Sequence, residues 1–288
     1  MDITKYINKN TCKIINKQIK EKNKIGEGWW GKVYKFLIKN LETAVKIQPT
    51  KFIKTNDRQK ETRNLQTELK LMKLLNDFEL KNNLGYFPIF YGVKYCNDNL
   101  YIFYEYYDCD LYHKLFFIKE YSNNDIKKIV HSMFLIVKKF QEITGYYHSD
   151  ITFKNFLVKK NKLSLIDYGN SIKINKENRI NKENRDIVNF KNEIRKHLMK
   201  DIRNIIMRLN KTDKLIEYVK KFSILKTDPK RKKTLINESV YVLIENDKHN
   251  IFLKDILNFK VFFPNNDIIL WIESLPDNID EFLNLENK

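Results

Sequence analysis

The strongest constraint on this chain's fold is a glycine-rich stretch that runs into a strand instead of out of one. In IGEGWWGKVY, Gly26, Gly28 and Gly31 stand at G-x-G-x-x-G spacing around Trp29 and Trp30. Beyond Gly31, Val33 and Leu37 alternate with Tyr34, Phe36 and Ile38, Asn40 marks a turn, and 44–47 reads as a further strand. A dinucleotide-binding glycine motif must leave a strand, enter a helix and meet an acidic residue about 20 positions later. This one does not, so that reading is excluded. A phosphate-cradling hairpin and an aromatic-tipped hairpin that grips a partner both remain open, because the motif alone is weak evidence.

The rest of the chain supplies material for a small sheet and a larger helical part. A helical pattern runs from about Asn56 to Leu75, with Leu65, Glu68, Leu69, Met72 and Leu75 at three- and four-residue steps. Two strand-like runs follow, FPIFYGVKY and NLYIFYEYY, separated by the turn composition CNDN. From about Asn124 to Thr144, Ile126, Ile129, Val130, Met133, Phe134, Val137 and Phe140 form one apolar stripe, and Gly145 stands where a helix end favours a left-handed residue. A hairpin, FLVKKNKLSLID, comes next, and 186–209, 212–225 and 267–284 read as helices. The repeated INKENR reads as an exposed charged loop.

Bulk properties narrow the class further. Hydrophobic content of 42% in 288 residues describes a globular chain with material for two lobes. No apolar run approaches the ~20 residues of a membrane span. The start, MDITKYINKN, has no signal core. Cys12, Cys96 and Cys109 are read as forming no disulfide or metal pattern, as in a reducing compartment. The expectation is therefore an intracellular protein, cytoplasmic or nuclear and not secreted. A net charge of +18 attracts nucleic acid, but the lysines are spread along an AT-rich-type sequence, so only weak, non-specific binding is expected.

The chemistry lies in HSDITFKN, His148 to Asn155, which has the form H-x-D-x-x-x-x-N. Twelve residues after Asn155 comes Asp167 in IDYG, and Lys46 sits upstream in AVK. Each group has an ordinary explanation by itself: a solvated lysine, a packed histidine, a turn aspartate. Together, in this order and on these elements, they resemble the protein kinase catalytic domain over roughly 19–236. The resemblance implies an α+β, two-lobed kinase-like fold. Its small antiparallel-sheet lobe would span 1–105 and its helical lobe 106–288.

The resemblance also implies ATP and Mg²⁺ as cofactors and a role for each group. Gly26, Gly28, Trp29, Trp30 and Gly31 would roof the phosphates. Lys46 would hold phosphate oxygens and pair with Glu68, or failing that Glu61, on the following helix. Val33 and Ala44 would sandwich adenine. Tyr104 would be gatekeeper, Glu105 to Tyr107 the hinge, and Asp110, or failing that Asp108, the ribose contact. Asp150 would take the acceptor's proton, Lys154 would reach the γ-phosphate, and Asn155 and Asp167 would hold Mg²⁺. A serine/threonine protein kinase acting on a protein substrate, with a possible regulatory partner protein, is the expected activity. A small-molecule kinase of the aminoglycoside-phosphotransferase type, or a pseudokinase serving as an interaction module, is the alternative.

The sequence also departs from the family. Ser149 replaces the arginine that usually meets an activating phosphate, and Thr152 replaces a common lysine. Only sixteen residues separate Gly169 from Asp186, and no APE motif follows. This shortened segment is similar to those of haspin and of the KEOPS-complex kinases. LKTDPKRKKT resembles a late motif of the family, with Lys232 at its arginine position and Arg231 one residue early. The final stretch, with Trp271, is read as extra helical packing.

Overall fold

The computed structural model describes residues 3–9, 12–20, 23–28, 31–38, 40–49, 59–115, 121–160, 162–175, 184–194, 271–272 and 274–284. The readings at Trp29, Trp30, 212–225, Arg231 and Lys232 lie outside the described residues. The chain divides into two compact units, one of 1–119 with 132–181, the other of 120–131 with 182–288.

The first unit is built on five antiparallel strands: β1 (Lys24–Gly28), β2 (Gly31–Ile38), β3 (Leu41–Pro49), β4 (Phe90–Cys96) and β5 (Asn99–Glu105). Their order is β1-β2-β3-β5-β4, with Ala44 opposite both Lys35 and Tyr104, and Lys46 opposite Val33 and Ile102. Asn40 takes the left-handed turn at φ 71° that the sequence marked. Strand alternation gives the sheet two faces. Phe36, Ile38, Val45, Tyr101 and Phe103 point to one of them and are buried there with Ile3, Ile7 and Ile15.

Those isoleucines come from two helices that the sequence reading did not identify, α1 (Ile3–Lys9) and α2 (Cys12–Gln18). They cover a sheet whose β4 edge would otherwise offer open backbone groups. Lys94 of β4 donates to the carbonyls of Ile7 and Asn8 at 2.8 and 3.3 Å, neutralising the end of α1, and Thr4 donates to Tyr91 O at 2.8 Å. Tyr101 donates to Asn16 at 2.6 Å. Cys12 and Cys96 form a disulfide, with Cα atoms 5.4 Å apart. This corrects the sequence reading of unpaired cysteines: the two stand 84 positions apart, so no spacing rule reveals them. Among the described residues, no helix is long and apolar enough to cross a membrane.

Helix α3 (Gln59–Asn82) extends beyond its sequence-read end at Leu75. Glu79 explains the extension. Its buried carboxylate accepts from the N–H groups of Gly85, Tyr86 and Phe87 at 2.9, 2.7 and 3.1 Å, so it binds the helix end to the loop before β4.

Downstream come β6 (Cys109–Asp110), the short α4 (Leu111–His113), α5 (Asn123–Thr144), β7 (Tyr146–Tyr147), β8 (Phe156–Lys159), β9 (Lys162–Leu165) and β10 (Ile172–Lys173). Gly145 closes α5 at φ 69°, donating to Gln141 O at 2.9 Å.

In the second unit, the residues over 185–194 are helical, starting one residue before the expected 186–209. The expected helix over 267–284 is interrupted at 275–278, where Pro276 supplies no N–H. Asn278 then caps a new helix, α6 (Ile279–Asn284), accepting from Asp280 N and Glu281 N at 2.8 and 3.3 Å. Lys191 bonds Asp277 at 2.7 Å, while Trp271 packs on Phe282 with centroids 6.4 Å apart.

Candidate functional site

The first unit holds a cavity of about 390 Å³ on the sheet face opposite α1 and α2. The same alternation that sends Val45 and Ile47 outward turns Ala44 and Lys46 into it. Val33, Ala44 and Leu157 give it an apolar wall, and Lys46, Glu68 and Asp167 give it a charged end.

Two of the three glycines differ sharply in what they permit. At Gly31 a Cβ would stand 2.2 Å from the backbone oxygen of Ile47, so only glycine lets β2 pass β3 there. At Gly26 a Cβ would meet nothing closer than Val33 at 3.8 Å. Gly26 therefore leaves the cavity wall bare without any demand from the fold. Gly28 ends β1 and pairs with Gly31 at the start of β2.

At the charged end, Lys46 Nζ donates to Glu68 Oε1 at 2.8 Å and lies 3.8 Å from Asp167 Oδ1. Burial by itself lowers the Lys46 pKa, but the charges of Glu68 and then Asp167 outweigh it and raise the group above the ordinary lysine value. Tyr104 lines the same end, and its phenol is pushed upward by burial against the opposing pull of Lys46.

Asp167 reaches Lys46 from a left-handed residue, φ 67°, that opens a one-turn 3₁₀ segment, Tyr168–Asn170. Tyr168 anchors that turn. Its ring stacks on Phe140 with centroids 5.6 Å apart, stands edge-on to His148 at 5.9 Å, and its hydroxyl donates to Leu165 O. His148 Nε2 donates to Ile166 O at 2.9 Å, since a carbonyl only accepts. The loop carrying Asp150 is thus held to the loop carrying Asp167. Asn155 Nδ2 donates to Asp150 O at 2.8 Å, which aims its amide oxygen elsewhere, and Asn155 and Asp167 both line the cavity. Among the described residues, no cluster of three or more His, Cys, Asp or Glu stands ready for a metal.

The remaining sequence-read residues divide. Tyr107 lines the cavity but sends its hydroxyl to Ser164 Oγ at 2.7 Å, and Ser164 donates to Gly85 O. Glu105 turns to Lys159, 2.6 Å away, instead of into the cavity. Asp110 lines the cavity and Oδ1 caps α4 through His113 N at 2.7 Å; Asp108 also borders the space. Lys154 borders it too, with Nζ over the Tyr112 ring at 4.9 Å.

Sequence reasoning missed Tyr112, Ser164, Leu157 and Asn170. Leu157 had a signal, the alternation of β8. Asn170 had none, although its Nδ2 lies 3.4 Å from Asp150 Oδ2.

The model of the protein kinase domain family matches residues 19–192, which is shorter than the 19–236 over which the motifs were traced. No curated protein matches the chain.

Proposed function

Because the chain belongs to the protein kinase domain family, a family of phosphotransferases, we propose that it transfers the γ-phosphate of ATP, with Mg²⁺, to a serine or threonine hydroxyl of a protein. One observation carries the reading: Lys46, Glu68 and Asp167 form a single charged cluster at the end of a cavity whose other wall is apolar.

The lining of that cavity supports a nucleotide as its ligand. Val33, Ala44 and Leu157 suit the faces of a base, and the bare wall at Gly26 leaves room for phosphate oxygens. Mg²⁺ uses one or two protein oxygen ligands and completes its shell with water and phosphate, so Asp167 and Asn155 suffice without a larger acidic cluster. When bound, Mg-ATP supplies the phosphoryl group and the metal charge that spreads over its oxygens.

The residues of the chain then perform distinct tasks. Lys46 holds phosphate oxygens, and Glu68 keeps the ammonium group in place. Asp150 accepts the proton of the acceptor hydroxyl on its carboxylate as the oxygen–phosphorus bond forms. Asn155 donates to Asp150 O, which leaves its amide oxygen for the metal. Lys154 leaves Tyr112 to meet the transferred group. Val33, following an intact G-x-G-x-x-G, supports a protein acceptor over a small alcohol.

The test is Asp167→Asn, assayed with labelled ATP, Mg²⁺ and a mixed protein panel. Loss of a metal-holding charge should lower transfer by about 10² to 10³-fold with the melting temperature preserved. Equal labelling by both proteins would overturn the reading. Label found only on small alcohols would make the acceptor a metabolite, and nucleotide binding without any turnover would make the domain a binding module.

A further inference from the structure

We propose that Asn170 is a positioning residue for the transfer reaction: its side-chain amide holds one carboxylate oxygen of Asp150 and leaves the other to meet the acceptor hydroxyl. The inference rests on the reading of Asp150 as the proton acceptor and assigns that site a member which no motif marks.

The geometry begins with the one-turn segment Tyr168–Asn170. Asp167 opens it and faces Lys46 at 3.8 Å, while Asn170 is its last residue and faces Asp150 at 3.4 Å. The turn has little freedom. Tyr168 is buried between Phe140 and His148, its hydroxyl is bonded to Leu165 O, and Ser171 N closes the turn on Tyr168 O at 3.1 Å. One short rigid piece of backbone therefore sets the separation between the metal-side carboxylate and the proton-accepting carboxylate.

The polarity of the contact is fixed by its partner. A carboxylate oxygen only accepts, so the Asn170 amide must present its N–H₂ group. Other groups of the site do not duplicate it. Asn155 spends its donor on the main-chain oxygen of Asp150, and Lys154 lies over Tyr112. Among the described residues, Asn170 is the side chain that hydrogen-bonds the Asp150 carboxylate. The distance is at the long end of hydrogen-bonding reach, as contacts of reacting groups often are before substrate tightens them.

The chemical consequence is orientational. With Oδ2 held, rotation of the carboxylate is restricted and Oδ1 stays directed at the acceptor, whose O–H bond breaks as its new bond to phosphorus forms. The proton ends on Asp150 and the leaving diphosphate carries the electron pair of the broken phosphorus–oxygen bond. Asn170 gains and loses nothing, so its contribution falls on kcat and not on nucleotide binding.

The experiment uses the full chain, labelled Mg-ATP, and dephosphorylated casein as acceptor, with hydrolysis to water read in parallel. Asn170→Ala should lower kcat by about 10- to 100-fold with the KM for ATP within about twofold. Asn170→Asp keeps the size but replaces the donor with a like charge, and should fall further. Melting temperatures should stay within about 2 °C, because Asn170 is exposed. A merely structural asparagine would not rank alanine above aspartate in kcat alone. If both variants match the parent while Asp150→Asn is inactive, Asn170 has no such role and the reading of Asp150 stands. If Asp150→Asn itself transfers phosphate at the parental rate, that reading fails first. A parent that transfers to neither casein nor water overturns both.

Discussion

The two faces of the five-stranded sheet share the same strands and follow opposite rules. Along β3, Val45 and Ile47 face α1 and α2, while Ala44 and Lys46 face the cavity. The covered face is filled by volume: Ile38, Val45 and Phe103 are each 0% exposed, and Phe36 meets Phe103 edge-on. The cavity face leaves Val33 and Tyr104 less completely buried and sets an ammonium group between two carboxylates. Apolar area left in contact with water gives up roughly 25 cal/mol per Å². A single sheet thus gains its stability on one face and leaves the other incompletely packed for chemistry.

The comparison predicts that substitutions separate by face, and the largest effect is expected at Lys46. Lys46→Met removes the cation that the proposed function assigns to the phosphates and leaves Glu68 without its partner, so phosphate transfer should fall by about 10² to 10³-fold. Stability should fall as well, by about 3 kcal/mol if the pair behaves as a broken buried one. The pH dependence has a definite sign. Lys46 has a folded-state pKa raised above the ordinary lysine value, so its stabilising contribution is complete below about pH 10 and is lost only as pH climbs towards that raised value. Melting curves of parent and variant from pH 7 to 10 should therefore keep a constant separation. A gap that closes by pH 9 would show that the carboxylates do not hold the proton on Lys46.

The opposite face gives the next largest effect, on stability alone. Ile7 is 1% exposed beneath α1, and Ile7→Ala should cost about 2–5 kcal/mol in urea unfolding. The same variant, assayed well below its unfolding midpoint, should keep kcat and the KM for ATP. A fall in kcat there would mean that the two faces are coupled through β3 and would break the comparison.

The sequence disclosed these faces unequally, for physical reasons. The residues assigned to the chemistry cannot be exchanged for others of similar volume, so Lys46, Asp150, Asn155 and Asp167 stand in a recognisable order even across wide gaps, three of them lining the cavity. The packing face asks only for apolar volume, which many residues provide. Ile3, Tyr6 and Ile7 do recur at helical spacing, yet seven-residue helices make too short a pattern to stand out, and α1 and α2 passed unseen. The disulfide between Cys12 and Cys96 and the contact between Asn170 and Asp150 are products of folding, with no local spacing to announce them. Lys154 shows the limit within the motif itself: sequence gives its position, while its direction depends on Tyr112, an aromatic ring on a different element.

The smallest effect tests how α1 is held on the covered face. Lys94 stands on the edge strand β4, and its ammonium group caps the carbonyls of Ile7 and Asn8. A cation at a helix C-terminus is worth about 0.3–1 kcal/mol where solvent reaches it, and one of these two bonds is exposed. Lys94→Met keeps an unbranched stem of similar length and removes the charge and its donors. The expected loss is therefore about 0.5–1 kcal/mol, with catalysis unchanged, and added salt should shrink the difference between parent and variant. A loss as large as that of Ile7→Ala would mean that α1 is held chiefly by its polar end. Apolar volume would then no longer be the rule that distinguishes the covered face from the cavity face.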